Sequence, residues 1–140
     1  MMEEDEELKR ILEKMARRIY QKKVQSRGGR VEEKRLEIAL NMLNFDETIN
    51  RNPIVIVDFW AEWCMPCKIY ERTFRKVAEK FGGKAVFARV NVDENPMIAG
   101  RYNIYGIPTT IIFVNGRPVE KLVGAQTEAK LTSVIKKYLR

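Results

Sequence analysis

Hydrophobic residues recur near the N-terminus with three- and four-residue spacing, which places them on one face of a helix. This face comprises Leu8, Ile11, Leu12, Met15 and Ile19. The pattern predicts an amphipathic helix over about residues 5–24, which opens with acidic residues and closes with basic ones, as the helix dipole favours. Two adjacent glycines, Gly28 and Gly29, then interrupt the pattern. We therefore expect residues 1–33 to be a helical extension with a linker, and residues 34–140 to be the folded domain.

After the linker, the spacing of the hydrophobic residues changes and predicts alternating strands and helices. Residues 36–43 indicate a first strand, although residues 36–40 fit a helix as well, and residues 44–50 indicate a short helix. The run 54–60 is β-branched and aromatic on both faces, which is typical of a central strand covered on two sides. A helix follows, with Pro66 in its first turn and Gly82-Gly83 at its end. Its predicted buried face comprises Tyr70, Phe74, Val77, Ala78 and Phe81.

The second half of the domain becomes increasingly β-like. Residues 85–92 predict a strand, and residues 95–102 predict a short helix. The runs 109–114 and 118–123 are joined through Asn115-Gly116, a strong hairpin-turn dipeptide. Thr127 can cap a last helix, whose predicted apolar face comprises Leu131, Val134, Ile135, Tyr138 and Leu139. The order after the extension is β-α-β-α-β-α-β-β-α, which predicts a mixed sheet with helices on both faces.

Composition narrows the class of protein. The chain has 140 residues, 45% hydrophobic and 32% charged, which is typical of one globular domain, and its longest apolar stretches are only strand-sized. Its acidic start is the opposite of a secretory signal, so we expect an intracellular, cytoplasmic protein. The net charge of +7 would favour acidic partners, but abundant Lys, Arg and Glu also occur in proteins of hot-living organisms as surface ion pairs. We favour the thermophile interpretation over nucleic-acid binding.

The two cysteines carry the sharpest chemical signal. Cys64 and Cys67 form a Cys-x-x-Cys motif at a predicted strand-to-helix junction, and the chain contains no histidine. The helix N-terminus would lower the pKa of the Cys64 thiol and make it the attacking group, with Cys67 as the resolving thiol. Half of a zinc or iron-sulfur site is the alternative, but such sites generally need four Cys or His ligands. Ligand count therefore favours redox chemistry without a metal.

Asp58 lies inside the apolar run 54–60. If it faces inward, its pKa should be raised, and its carboxylate could take a proton from Cys67. Strand alternation could equally point it at solvent, and the spacing alone leaves both alternatives open.

Three separated motifs together resemble the thioredoxin family over about residues 34–140. They are the run 58–68 (DFWAEWCMPCK), Gly106-Ile107-Pro108-Thr109, and Gly124-Ala125. The resemblance implies a three-layer α/β/α fold with a central mixed sheet and a protein-disulfide reductase without a bound cofactor. It assigns Cys64 as nucleophile, Cys67 as resolving thiol and Asp58 as the buried proton acceptor. Disulfide-containing proteins would be its substrates, and a flavin-dependent reductase would restore the dithiol.

The same resemblance implies a substrate surface beside the cysteines. It predicts that the Ile107-Pro108 peptide bond is cis and exposes backbone for pairing with an extended substrate segment. The implied substrate-binding residues are Trp63, Ile107, Pro108, Thr109, Gly124 and Ala125. Trp60 would pack beneath the site or serve as ordinary core, and Pro66, Lys68 and Arg89 would support the site.

Two positions depart from the family pattern. Met65 stands where thioredoxins usually have Gly, and the residues between the cysteines bear on redox poise, so a disulfide isomerase or oxidant is the alternative activity. Arg89 stands where many thioredoxins have Lys, and its permanent charge would favour ionised Asp58 if it reached that carboxylate.

The extension has no counterpart in a minimal thioredoxin. The simpler hypothesis is that its helix packs on the domain or pairs with a second copy of the chain. A basic arm for nucleic acid, ribosome or anionic membrane is the alternative, which the scarcity of aromatic residues and the acidic start disfavour. In a further alternative, the fold is a binding module that acts through this extension.

Overall fold

The computed structural model describes residues 6–17 and 37–139. The chain divides into two units, Met1–Arg35 and Leu36–Arg140. In the first unit, helix α1 covers residues 6–17, and the rest of the helix predicted to residue 24 and the glycine linker lie outside the described residues. Within the described part of the chain, no helix is long and apolar enough to cross a membrane.

The second unit follows the predicted order of elements. The strands are β1 (Glu37–Leu40), β2 (Ile54–Trp60), β3 (Val86–Asn91), β4 (Thr109–Val114) and β5 (Arg117–Val123). The helices are α2 (Phe45–Arg51), α3 (Met65–Lys80), α4 (Pro96–Arg101) and α5 (Glu128–Lys136). The strand order in the sheet is β1-β3-β2-β4-β5, with β1, β3 and β2 parallel and β4 and β5 antiparallel to their neighbours. The predicted mixed sheet is confirmed, and β2 lies at its centre.

Helices cover both faces of the sheet, which confirms the three-layer prediction. On one face, α2 and α4 pack over Val55, Val57 and Phe59 of β2. On the other face, α3 and α5 pack over Ile56 of the same strand. Because successive side chains of a strand point to opposite faces, Asp58 lies on the same face as Ile56, beneath α3.

The prediction that the first strand runs to residue 43 is wrong. Strand β1 ends at Leu40, because two asparagine side chains form a local turn after it. The side chain of Asn44 accepts a hydrogen bond from the Asn41 backbone amide (2.7 Å), and the side chain of Asn41 accepts one from the Leu43 amide (2.8 Å). Side chains of this type compete with strand pairing for backbone partners.

Other local predictions are confirmed with small changes. Thr127 caps α5, because its side chain accepts a hydrogen bond from the Lys130 amide (3.1 Å). Helix α5 ends at Lys136, so Tyr138 and Leu139 lie beyond it, although both pack against the same hydrophobic cluster. The hairpin turn has positive φ at both central residues, 51° at Asn115 and 81° at Gly116, which explains the choice of this dipeptide.

Candidate active site

Cys64 and Cys67 are joined by a disulfide at the start of α3, with their Cα atoms 5.2 Å apart. Cys64 is the N-cap residue, and its sulfur accepts a hydrogen bond from the Cys67 amide (3.2 Å). Pro66 stands in the first turn, where its missing amide hydrogen leaves no helix bond unmade. Both cysteines are almost fully buried in the protein. The free amides of a helix N-terminus stabilise a thiolate, so this position suits dithiol chemistry.

The Ile107-Pro108 loop lies directly beside the disulfide. Its peptide bond is cis, as expected, and the carbonyl oxygen of Ile107 lies 3.8 Å from the Cys64 sulfur. The loop is tied to the end of β5, since the Gly124 amide donates a hydrogen bond to the Pro108 carbonyl (2.7 Å). Thr109, which is fully buried, donates from its hydroxyl to the Gly106 carbonyl. The structure therefore brings the second and third sequence motifs to the cysteines.

An exposed apolar surface surrounds the disulfide. The Trp63 side chain is 70% exposed, and its indole donates a hydrogen bond to Asp93 (2.8 Å). Met65 and Ile69 are exposed on the first turns of α3. Of the other implied substrate-binding residues, Ile107 and Gly124 are half-buried, Ala125 is exposed and Pro108 is buried. Lys68 is exposed as well.

Asp58 faces inward, which decides the question that strand alternation left open. Its side chain is fully buried, and within residues 37–139 one of its oxygens has a partner, the Arg89 Nε at 3.3 Å, while the other has none. Burial raises its pKa to about 7, against the opposing attraction of Arg89. A carboxyl group that titrates near neutrality can both accept and release a proton. The buried side chain of Tyr70 lies on the same face, bonded to the Thr110 hydroxyl (2.8 Å).

Arg89 reaches Asp58, which meets the condition for its charge to act on that carboxylate. The guanidinium stacks on the Trp60 ring, 4.3 Å from its centroid, and is mostly buried. It also contacts Glu71 on α3 through its Nη1 atom (3.4 Å). Trp60 is thus the support of a charged group and not simply part of the apolar core.

Sequence reasoning missed three charged residues around Arg89: Glu71, Arg75 and Glu37. Arg75 contacts Glu71 (3.3 Å) and Glu37 (3.8 Å). Glu71 carries one signal that could have identified it, because it lies four residues after Cys67 and so shares its helix face. Glu37 carries no such signal, since it comes from a strand far away in the chain.

A metal is not indicated in the part of the chain that the structure describes. Within residues 6–17 and 37–139, no group of three or more Cys, Asp or Glu side chains is placed to hold a metal ion. The geometry supports reversible formation of the Cys64–Cys67 disulfide, with a buried acid-base group behind it.

Comparison with known proteins identifies the family of this arrangement. The family model described as Thioredoxin matches residues 37–137. Thioredoxin from Staphylococcus saprophyticus is 43% identical over 96 residues, which is 69% of this chain and 91% of that protein. Thioredoxin from Griffithsia pacifica is 41% identical over 95 residues, covering 68% and 87%.

Solved structures agree with the sequence comparison. A single-residue mutant of thioredoxin from Halobacterium salinarum has a TM-score of 0.70 at 33% identity, covering 74% of this chain and 91% of the other. Thioredoxin from Plasmodium falciparum has a TM-score of 0.67 at 36% identity, covering 72% and 98%. The family match begins at residue 37, so it says nothing about the extension.

Proposed function

This chain belongs to the thioredoxin family of dithiol-disulfide oxidoreductases, and from that premise we propose that Cys64 is the nucleophile and Cys67 the resolving thiol. The observation that carries the proposal is the Cys64–Cys67 disulfide at the N-terminus of α3, beside the Ile107 carbonyl. Cys64 stands at the N-cap, where the helix dipole acts most strongly on a thiolate. Cys67 stands one turn further in and has no exposed surface.

The proposed reaction has two exchange steps. The Cys64 thiolate attacks a target disulfide, so that a Cys64–target disulfide forms and one target thiolate leaves and takes up a proton. Cys67 then loses its proton and attacks the Cys64 sulfur, which forms the Cys64–Cys67 disulfide and releases the second target thiolate. The target gains two electrons and two protons, and this chain is oxidised by two electrons. A flavin-dependent thioredoxin reductase returns those electrons.

Asp58 is proposed as the base that takes the proton from Cys67. Its burial, its position beneath α3 and its pKa of about 7 support this role. An ordinary aspartate, with a pKa of 3.8, would be a much weaker base towards a thiol.

Trp63, Ile107 and the Gly124-Ala125 segment are proposed to receive the target. Trp63 supplies exposed aromatic area, and the Ile107 backbone lies where an extended segment could pair with it. Pro108 and Thr109 are buried, so we propose that they shape this loop and do not touch the target through their side chains.

The first test is reduction of insulin disulfides with dithiothreitol as the electron source. We expect turnover by the full chain, none by Cys64→Ser, and an accumulated mixed disulfide with insulin for Cys67→Ser. Turnover by Cys64→Ser would contradict the assignment of the nucleophile. Equilibration with glutathione then gives the reduction potential. A value near roughly −270 mV fits a general reductant, whereas one near roughly −180 mV would support the alternative activity, a disulfide isomerase or oxidant.

Residues 1–33 are proposed to be a separate extension that mediates self-association. The apolar side chains of α1 support this, because each is at least half exposed: Leu8, Ile11, Leu12 and Met15. Analytical ultracentrifugation should show a dimer for the full chain and a monomer for Leu8→Glu/Leu12→Glu. A monomer for both would reject self-association. Loss of cellular function on deleting residues 1–33, but not on replacing both cysteines by Ser, would instead support a binding module.

Two further proposals concern the setting of the protein. A reducing, cytoplasmic compartment is supported by the use of both cysteines in one redox motif and none in structural bridges. A hot-living source is supported by the charged composition and by the ion pairs that link Asp58, Arg89, Glu71, Arg75 and Glu37. Thermal unfolding tests the latter, with an expected Tm above roughly 65 °C, the upper end for mesophilic domains.

A further inference from the structure

The Arg89 guanidinium is shared between two carboxylates. Its Nε atom faces Asp58 at 3.3 Å, and its Nη1 atom faces Glu71 at 3.4 Å. Its third constraint is the Trp60 ring beneath it. Asp58 therefore does not receive the two parallel hydrogen bonds that a guanidinium can give to a single carboxylate. The other Asp58 oxygen is fully buried and has no hydrogen-bond partner in the part of the chain that the structure describes.

The surrounding charges do not balance. Three carboxylates, on Asp58, Glu71 and Glu37, contact two guanidiniums, on Arg89 and Arg75. With all five groups charged, one negative charge is in excess, and the deepest carboxylate is the one for which ionisation costs most. Burial also raises the pKa of Glu37.

Among residues 6–17 and 37–139, no cation other than Arg89 acts appreciably on Asp58. Strand β4 places Thr110 opposite it, and α3 adds Tyr70, whose pKa is raised by burial. The resolving thiol, Cys67, is on the same helix. Glu94 shares with Arg89 the lining of a cavity of about 500 Å³ and adds a further carboxylate on that side. Arg89 is thus the cation that opposes the effect of burial and favours ionised Asp58.

A guanidinium that paired with Asp58 and with no other carboxylate would oppose the proton transfer proposed above. It would stabilise the carboxylate and make it a weak base, because an opposite charge within about 4–6 Å lowers a carboxyl pKa by about 1–3 units. In the structure, Glu71, which lies one turn after Cys67 in α3, also contacts this guanidinium. The negative charge of Glu71 also repels that of Asp58 directly.

We propose that Glu71 is a positioning residue for the resolving step. Because Glu71 contacts one side of the Arg89 guanidinium, this cation does not bond to Asp58 alone. Asp58 therefore remains able to exchange a proton at neutral pH. The inference rests on the proposed role of Asp58 as the base for Cys67. Glu71 touches neither the target nor the reacting sulfurs, and it acts through Arg89.

The test is a carboxyl ¹³C NMR titration of Asp58 in the oxidised full chain, in which the disulfide leaves no thiol to titrate. Glu71→Gln keeps the shape and an oxygen acceptor but removes the charge, and Glu71 is exposed enough for the variant to fold. We expect the pKa of Asp58 to fall by roughly 0.5–1 unit. Glu79→Gln, which removes an exposed charge from the same helix two turns away, should leave the pKa of Asp58 unchanged. An unchanged or higher pKa in Glu71→Gln would overturn the inference.

A double-mutant cycle separates positioning from simple charge repulsion. In an Arg89→Gln background, Glu71→Gln should change the pKa of Asp58 by less than half as much as in the wild type. An equal change in both backgrounds would show that Glu71 acts on Asp58 directly, and would overturn its role through Arg89.

Activity then links the inference to the reaction. The pH profile of insulin reduction by Glu71→Gln should move towards acid with the Asp58 titration. If the pKa of Asp58 changes but the pH profile of insulin reduction does not, Asp58 is not the base and its proposed role fails. The effect of Glu71 on Asp58 through Arg89 would still hold. If the pKa stays in place and the wild type still turns over, the inference fails and the proposed function stands.

Discussion

The two faces of strand β2 differ sharply in chemistry although they share one backbone. Towards α2 and α4, the strand presents Val55, Val57 and Phe59 to a cluster of apolar side chains and aromatic rings. Towards α3 and α5, it presents Ile56, then Asp58 with its guanidinium, then Trp60. The first face contributes stability. The second face lowers stability near the cysteines, because it buries the carboxyl group of Asp58, but this group can accept and release a proton.

The largest expected effect comes from removing volume on the apolar face. Phe59→Ala should lower the free energy of unfolding by roughly 3–5 kcal/mol, because Phe59 is fully buried and its neighbours cannot close the cavity. Urea denaturation measures this loss. The pKa of Asp58 should stay near 7 in the folded variant, since the two side chains point to opposite faces. A shift in that pKa would show that the faces are coupled.

A smaller, pH-dependent gain in stability is expected from a substitution on the charged face of β2, the face that presents Asp58 towards α3 and α5. Between pH 3.8 and about 7, folded Asp58 holds its proton while unfolded Asp58 has lost it, so stability falls as the pH rises through this window. Asp58→Asn removes that loss. The variant should be more stable than the wild type at pH 8 by at most roughly 4 kcal/mol, and no more stable below about pH 4. Urea midpoints across pH measure the difference. Equal stability at pH 8 would mean that Arg89 fully offsets the burial of the charge.

The smallest expected effect concerns a neutral polar pair on the charged face. Tyr70→Phe removes the partner of the buried Thr110 hydroxyl and should cost about 1–2 kcal/mol. Tyr70→Phe/Thr110→Val should recover part of this loss, because it leaves no polar atom without a partner. If the single variant is as stable as the wild type, this pair contributes nothing to the difference between the faces.

The difference between the faces also marks what the sequence could predict. The β-branched run of β2, the turn dipeptide Asn115-Gly116 and the cap at Thr127 act through their own neighbours in the chain, so their positions followed from local chemistry. Strand β1 was predicted too long because the side chains of Asn41 and Asn44 accept hydrogen bonds from backbone amides and form a turn. This turn depends on the orientation of the two side chains and not on hydrophobicity.

The charged site depended on contacts between distant segments. Alternation places Asp58 on the face of Ile56, but only the packing of α3 over the sheet makes that position buried. The ion pairs of Arg89 with Asp58 and Glu71 join residues from three elements, and charged residues on an amphipathic helix ordinarily face solvent. Spacing places Glu71 on the helix face of Cys67, but it does not predict the contact with Arg89 that separates Glu71 from the exposed Glu79 of the same helix.

The central position of β2 has a consequence for the chain before it has folded. Its neighbours β3 and β4 both follow it in the sequence, and Asp58 pairs with Thr110, roughly fifty residues later. At roughly 5–20 residues per second, a ribosome needs about 3–10 s to deliver that partner. During this interval at least one edge of β2 is unpaired, and the strand is an apolar segment of the kind that aggregates.

Asp58 interrupts that segment with a charge, because in the unfolded chain its pKa of 3.8 keeps it ionised at neutral pH. A charge in the middle of a β-prone window is a recognised protection against intermolecular pairing. The same carboxyl group that lowers stability inside the finished sheet therefore protects the nascent strand, and we expect Asp58→Asn to refold with more aggregation although its folded state is more stable.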